Sequence, residues 1–137
     1  MGYVQLLNLA ETYILTDDYL ARNDTQRTTT STTYVKLKET RIIFEVWPTS
    51  SLRIKFTLRC NDGHWVYGRI YYNGQPIGTE RSTDLVAPTE FSEDFTFNDL
   101  KSNDTLEVWG RSLAGTTTTY VTNFRIFGQG TKFLAVT

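Results

Sequence analysis

The chain has few of the residues on which cross-linking and catalysis depend. Its 137 residues include one cysteine, one histidine and three prolines. A single cysteine excludes an internal disulfide, and a single histidine excludes a metal site built from several histidines. No apolar run approaches the roughly 20 residues of a transmembrane helix. We expect synthesis in the cytoplasm, with no signal peptide and no membrane insertion.

Neither sign of charge dominates, since the formal net charge is −1. The chain therefore lacks the basic surplus that typifies nucleic-acid-binding domains, and we expect no nucleic-acid partner. The length indicates one domain. We predict a β-sandwich core over residues 34–128. Residues 1–33 are predicted to form an N-terminal segment, an arm plus edge strands, and residues 129–137 a C-terminal strand or arm.

Strand signals occur along the whole chain. β-branched and aromatic residues are abundant, and Gly, Asn or Asp interrupts them at short intervals. Asn73-Gly74 matches a type I′ hairpin turn. The pattern predicts an all-β fold, a single antiparallel β-sandwich or jelly roll with short hairpins and little or no helix. The predicted strands are Val4–Leu9, Tyr13–Thr16, Tyr34–Lys38, Arg41–Trp47, Leu52–Cys60, Trp65–Tyr72, Pro76–Ser82, Glu90–Phe97, Thr105–Arg111, Thr119–Phe127 and Lys132–Val136.

The tryptophans fall on the polar side of their strands. Apolar and basic residues alternate from Leu52 to Cys60, which indicates one buried and one solvated face. By the same alternation each tryptophan lies among charged residues. Such a placement of the largest apolar side chains predicts a surface that another molecule covers. This predicted aromatic-rich sheet face consists of Trp47, Trp65, Tyr67, Arg69, Tyr71 and Trp109.

Two occupants suit the predicted face. Tyr, Trp and Arg are favoured at the centres of protein interfaces, which predicts a homo-oligomer. The alternative is a carbohydrate-binding module or receptor-binding tip. Trp65, Tyr67 and Tyr71 are spaced by two and four residues, so their rings would lie roughly 7 and 14 Å apart along a strand. Rings at that pitch can stack on successive sugars, with Arg69 bonding hydroxyl groups.

Catalytic patterns are nearly absent. A Ser-His-Asp arrangement would rest on His64 alone, in a predicted turn. Carboxylates cluster at Asp17-Asp18 and at Glu90, Glu93 and Asp94, but exposed strand charges explain them more simply than a glycosidase pair. We expect a non-enzyme without metal or cofactor.

Three further features have simple structural interpretations. Cys60 is predicted to be a buried small hydrophobe. Arg53, Lys55 and Arg59 form a basic stripe that is typical of a solvated strand face. Asn23 and Asn103 each begin an N-glycosylation sequon, a pattern that also arises by chance in a threonine-rich chain.

Four segments carry a resemblance: 67–82, 91–94, 104–109 and 121–126. Their hairpin and strand order, including Tyr71-Tyr72-Asn73-Gly74, resembles small β-sandwich structural and decoration proteins of tailed phages and archaeal viruses. It covers the C-terminal half to two-thirds of the chain. The resemblance implies a single jelly roll that assembles as trimers or larger rings, and it identifies no functional residue. Our first interpretation is therefore a capsid decoration, turret or fibre-tip subunit that binds other virion proteins, located in a virion or extracellular particle.

Overall fold

Period-two alternation of apolar residues builds two antiparallel sheets that pack face to face. The computed structural model describes residues 9–14, 18–43, 46–129 and 131–136. These residues form strands and loops without a helix, so the predicted all-β sandwich is confirmed. In the same residues there is accordingly no helix that is long and apolar enough to cross a membrane.

The described strands are numbered in chain order. They are β1 (Leu9–Ile14), β2 (Asp18–Asn23), β3 (Arg27–Thr29), β4 (Val35–Arg41), β5 (Val46–Cys60), β6 (Val66–Tyr72), β7 (Gln75–Pro76), β8 (Arg81–Thr83), β9 (Thr89–Lys101), β10 (Thr105–Ser112), β11 (Thr119–Gly128) and β12 (Thr131–Val136). The five-stranded sheet has the order β4-β10-β6-β7, with β8 also paired to β6. The seven-stranded sheet has the order β1-β12-β5-β11-β2, with β3 paired to β11 and β9 paired to β5.

The core lies between the inner faces of the two sheets. Strand β5 contributes every second residue from Leu52 to Leu58, each at most 1% exposed. Cys60 continues this row and is fully buried, as predicted. The facing sheet contributes inward residues of β6 and β10. The largest fully buried side chains are Phe56, Phe124, Leu52, Ile54, Leu58, Ile70, Leu100, Leu106, Val66, Val108 and Val121.

The Asn73-Gly74 turn adopts the predicted conformation. Asn73 has φ 50° and Gly74 has φ 79°, so both residues occupy the left-handed region that a type I′ turn requires. The turn connects β6 to β7, whose Gln75 pairs with Tyr72. The hairpin prediction is confirmed.

Two predicted strands are wrong. The segment Arg41–Trp47 is not one strand, because Arg41 ends β4 in one sheet and Val46 begins β5 in the other. The chain crosses between the sheets at this point. The predicted strand Pro76–Ser82 is also interrupted, since residues 77–80 leave the ladder after Pro76. There the amides of Ile77 and Gly78 both donate to the carbonyl of Ile70.

The N-terminal and C-terminal strands belong to the seven-stranded sheet. Strand β1 pairs with β12, and β2 and β3 both pair with β11. The sequence did not predict β2 or β3, because β2 lacks a regular apolar–polar alternation and β3 has only three residues. The predicted strand Val4–Leu9 lies outside the described residues except for Leu9. The division of the chain at residues 33 and 128 stays a prediction.

A buried lysine fixes the turn between β2 and β3. Lys38 is 3% exposed, and its ammonium donates to the carbonyl oxygens of Asn23, at 2.7 Å, and Thr25. Burial, helped by the nearby Arg27 charge, lowers the pKa of Lys38 to about 8. The two carbonyl groups would otherwise lack a donor in a partly dry site. Lys38 thus connects the N-terminal strands to the five-stranded sheet.

Candidate functional site

The outer surface of the five-stranded sheet carries most of the predicted site residues. Tyr67, Arg69 and Tyr71 point outward from β6, because Val66, Gly68 and Ile70 between them point into the core. In the ladder with β10, Tyr67 lies opposite Arg111, Arg69 opposite Trp109, and Tyr71 opposite Glu107. We call this surface the aromatic face. Its members are Tyr34, Trp65, Tyr67, Arg69, Tyr71, Trp109 and Arg111.

Tyr71 has no open ring surface, which corrects the sequence-based expectation for this residue. The Trp109 ring stacks on Tyr71 with centroids 4.4 Å apart and planes 7° apart. The Tyr34 ring lies 6.1 Å away, tilted by 53°. Tyr71 is consequently only 8% exposed, although it is on the outer side of the sheet. Its neighbours in the same chain cover the ring that we expected a sugar or a second subunit to cover.

Trp109 is held in place by a buried carboxylate. The indole Nε1–H donates to Glu107 Oε1 at 2.7 Å, and the Thr105 hydroxyl donates to Glu107 Oε2. Glu107 is 3% exposed, so these two donors satisfy acceptor oxygens that are shielded from water. Trp109 itself is half-buried. The sequence placed Glu107 beside Trp109 but did not predict that it accepts this bond.

A polar network adjoins Tyr67. The guanidinium of Arg111 lies over the Tyr67 ring, 3.8 Å from its centroid. Glu80 Oε2 accepts a 2.5 Å bond from the Tyr34 hydroxyl and a 3.4 Å bond from Arg111. Burial, followed by the bond to Glu80, raises the pKa of Tyr34, so this residue stays neutral. Tyr34 and Glu80 were not predicted as site residues, because they are 46 residues apart and join only through the fold.

Trp65 is the most accessible aromatic side chain on this face. It is 44% exposed, whereas Trp109 is half-buried. The amide of Leu113 donates to the Trp65 carbonyl at 3.0 Å, so the β6–β10 ladder extends to this position. Leu113 is 52% exposed. Strand alternation places Trp65 on the same side as Tyr67, roughly 7 Å along the chain.

The loop before Trp65 is tied to the loop after β10. Asp62 Oδ2 accepts a bond from the Thr117 hydroxyl at 3.2 Å, and Asn61 Oδ1 accepts the Thr118 amide at 2.9 Å. Asp62 Oδ1 also accepts the His64 amide. These bonds fix the backbone that leads into Trp65 while the indole stays accessible.

Arg69 and Trp47 complete the predicted set. The Arg69 Nε donates to the Gly78 carbonyl at 2.5 Å, which holds the arginine against the loop after β7. The backbone of Trp47 lies in β5 opposite Leu100 of β9. Trp47 therefore belongs to the other sheet, and its side chain lies outside the described part of the chain.

The carboxylates of β9 do not face one another across a cleft. Glu93 accepts bonds from the Thr79 amide and from Arg81. Asp94 lies on the opposite side of the strand, paired with Arg53 at 2.8 Å, and this bond lowers the pKa of Asp94. Within the described residues no three carboxylate, histidine or cysteine side chains gather at a metal-binding distance.

The remaining candidates are dispersed. His64 is 66% exposed in the loop before β6. Asn103 is exposed at a turn with φ 76°, and Asn23, half-buried, ends β2. Glycosylation of Asn23 and Asn103 stays a prediction. Asp17 lies outside the described residues.

Comparison with solved structures identifies similar sandwiches. The chain is similar to the CBM36-1 domain of a multidomain xylanase from the hindgut metagenome of Trinervitermes trinervoides, with a TM-score of 0.57 and 13% identity over 90% of this chain and 99% of that one. It is also similar to the insecticidal delta-endotoxin Cry8Ea1 of Bacillus thuringiensis, with a TM-score of 0.53 and 12% identity over 74% of this chain and 19% of the toxin. A family 16 carbohydrate-binding module matches with a TM-score of 0.48 and 9% identity over 72% of this chain and 73% of the module.

At these identities the similarity concerns the fold. No protein-family model matches the sequence, and no curated protein matches it. The β-sandwich thus resembles folds found in carbohydrate-binding modules. Neither the CBM36-1 domain nor the delta-endotoxin is a virion protein, so the virion interpretation gains no support from them.

Proposed function

We propose that the protein is a carbohydrate-binding module and that its aromatic face holds the sugar. The observation that carries the proposal is Trp65, an indole 44% exposed beside the half-buried Tyr67. The exposed Leu113 donates its amide to the Trp65 carbonyl, so two large exposed apolar side chains lie close together at this end of the face. Grouped exposed apolar side chains, unlike single ones, mark binding surfaces. The similarity in fold to the CBM36-1 domain supports the same class of ligand.

The chemistry of the site suits a sugar ring. The apolar face of a pyranose packs against an aromatic ring, while its hydroxyl groups need hydrogen-bonding partners at the edge. Trp65 supplies the ring. Arg111 and Arg69 lie on either side of Tyr67 in the ladder and supply guanidinium donors. Tyr71 and Trp109 have a supporting role in this arrangement, since their rings stack on each other.

Pre-organisation favours binding by this face. Arg111 is held by its position over Tyr67 and by its contact with Glu80. Arg69 is held by the Gly78 carbonyl. Side chains that are already ordered lose little conformational entropy when a ligand arrives. Arg69 and Arg111 are therefore already placed to donate to sugar hydroxyl groups.

Isothermal titration calorimetry against neutral gluco-, xylo-, galacto- and manno-oligosaccharides tests the proposal. We expect at least one series to bind the wild-type chain, and Trp65→Ala to abolish that binding. Leu85→Ala is the control, because Leu85 is an exposed apolar side chain in the loop after β8 and belongs to neither face. Its removal is expected to leave neutral-sugar affinity unchanged. If no series binds, or if Trp65→Ala binds like the wild type, the proposal is wrong.

Self-assembly makes a different prediction for the same face. A homo-oligomer, such as the trimer of a virion subunit, would cover Trp65 in the absence of any sugar. Size-exclusion chromatography with light scattering at micromolar concentration separates the two interpretations. We expect a monomer that binds oligosaccharide. A stable trimer that Trp65→Ala dissociates would instead favour assembly.

A further inference from the structure

The outer surface of the seven-stranded sheet carries a row of like charges. Lys55 of β5 lies directly opposite Arg125 of β11, and Arg125 lies directly opposite Arg22 of β2. Side chains at such positions are neighbours about 5 Å apart, and like charges there oppose folding. The sheet thus places three cations side by side on its outer surface.

One carboxylate is bonded to this row. Asp24 accepts two bonds from Arg125, at 2.9 and 3.0 Å. The bonds from Arg125, helped by the nearby charge of Arg22, lower the pKa of Asp24, so this one carboxylate is shared between two of the cations. The row is therefore only partly neutralised by the chain that carries it.

Aromatic rings lie beside the cations. Lys55 Nζ is 4.9 Å from the centroid of the Phe127 ring, and the Tyr19 ring packs on Phe127 at 4.5 Å. Further along the sheet, the Arg59 guanidinium lies 3.7 Å from the Tyr120 centroid. Cation–π contacts hold the charged groups flat against the sheet. We call this surface the basic face, formed by Tyr19, Arg22, Lys55, Arg59, Tyr120, Arg125 and Phe127.

Neighbouring carboxylates reduce the positive charge without cancelling it. Asp94 is held by Arg53, at 2.8 Å. Glu90 lies opposite Thr57, between the positions of Lys55 and Arg59 on β5. The surface and its border then carry five cations against three carboxylates: Arg22, Arg53, Lys55, Arg59 and Arg125 against Asp24, Glu90 and Asp94.

We propose that the basic face is a second binding site, for an anionic polysaccharide with carboxylates on its sugar rings. Guanidinium and ammonium groups bind carboxylates in charge-assisted bonds. Tyr19, 52% exposed, offers a ring on which a sugar can pack. A duplex nucleic acid carries one charge per roughly 1.7 Å of its axis and needs broadly basic surroundings, which a face with carboxylates among its cations does not supply. The site lies on the opposite side of the sandwich from Trp65 and does not depend on the function proposed for the aromatic face.

Affinity electrophoresis of the full chain in gels containing sodium polygalacturonate tests this site. The same polymer with its carboxylates methyl-esterified is the matched uncharged probe. We expect polygalacturonate to retard the wild-type chain and added salt to weaken the retardation. Each exposed ion pair contributes up to about fivefold in affinity, so Arg22→Gln/Lys55→Gln is expected to bind about tenfold more weakly. Glu90→Gln is expected to bind more tightly.

Two controls keep the outcome interpretable. Trp65→Ala is expected to bind polygalacturonate like the wild type, which separates this site from the aromatic face. The double variant is expected to change the melting temperature little, because the loss of the contacts with Tyr19 and Phe127 offsets the removal of neighbouring like charges. Equal retardation by the esterified polymer, or undiminished binding of a folded double variant, would overturn the proposal. So would tighter binding to single-stranded DNA of equal charge.

Discussion

Tyr71 and Trp109 lie face to face across β6 and β10, 4.4 Å apart, on the outer side of the sheet. Their strand positions are offset by two residues, because Trp109 lies opposite Arg69 and not opposite Tyr71. The stack fills the centre of the aromatic face and buries Tyr71. Aromatic packing outside the core thus contributes to the stability of the fold.

Replacement of Tyr71 by alanine should destabilise the fold. The variant loses a ring that is 8% exposed and uncovers Trp109. We expect the free energy of unfolding to fall by about 2–3 kcal/mol in urea denaturation, somewhat less than for an aromatic ring removed from a core. A double-mutant cycle with Trp109→Ala should give a coupling of about 1 kcal/mol. Additive effects of the two substitutions would show that the rings do not support each other.

The stability of the fold should depend on the hydrogen bonds that the Glu107 carboxylate accepts. Glu107→Ala leaves the Trp109 N–H and the Thr105 hydroxyl without their shared acceptor. We expect a loss of about 1–3 kcal/mol in thermal or urea unfolding. Glu107→Gln keeps one acceptor oxygen for the indole, so it should lose clearly less. If glutamine and alanine were equally damaging, the bond to Trp109 would not be the cause.

The sequence predicts which face of a strand is buried better than it predicts where strands begin and end. From Leu52 to Cys60, alternation identifies the buried side correctly. The same rule fails from Arg41 to Trp47, where apolar residues keep their spacing although the chain passes from one sheet to the other. The residue pattern of this segment does not indicate that the chain changes sheets. Strands β2 and β3 were not predicted, because they are strands through their pairing with β11 and not through a pattern in their own residues.

Gly68 should not tolerate a side chain. A Cβ at this position would lie 2.7 Å from Phe56 Cε2, inside the core. Gly68→Ala forces the Phe56 ring to move, and we expect a loss of about 1–3 kcal/mol in urea unfolding. Gly115→Ala is the matched control, because a Cβ there meets nothing within 4 Å. Equal stability of the two variants would contradict the packing described here.

The ionised Asp104 carboxylate should stabilise the fold at pH values above its pKa. Burial is the largest single influence and opposes ionisation, but bonds from Tyr72, Asn73 and the Lys101 amide together lower the pKa below 3.8. Such a group contributes stability at neutral pH and loses it as the pH falls below about 4. We expect Asp104→Asn to be less stable at pH 7 by about 1.5–3 kcal/mol.

The pH dependence separates this effect from a simple packing defect. The wild-type chain should lose more stability than Asp104→Asn between pH 5 and pH 2, measured as urea midpoints. Asp99→Asn, at an exposed position, is the control. Parallel curves for the wild type and Asp104→Asn would show that the carboxylate has no part in acid unfolding.

The candidate site was only partly predictable. Alternation along one strand places Tyr67, Tyr71 and Trp109 outside the core, as found. It does not reveal that Trp109 covers Tyr71 or that Glu80 meets Tyr34, because these contacts depend on register between strands. Trp65 was grouped with its neighbours on spacing alone. Its greater accessibility comes from its place at the end of β6, beside a loop.

The most direct measurement is a heteronuclear NMR titration of the tryptophan indole N–H signals. Trp65→Ala assigns the Trp65 signal among the three indole signals that the sequence allows. On addition of a neutral oligosaccharide that binds, we predict a saturating shift of the Trp65 signal and a smaller change at Trp109, whose N–H is bonded to Glu107. Binding that leaves the Trp65 signal in place would contradict the account.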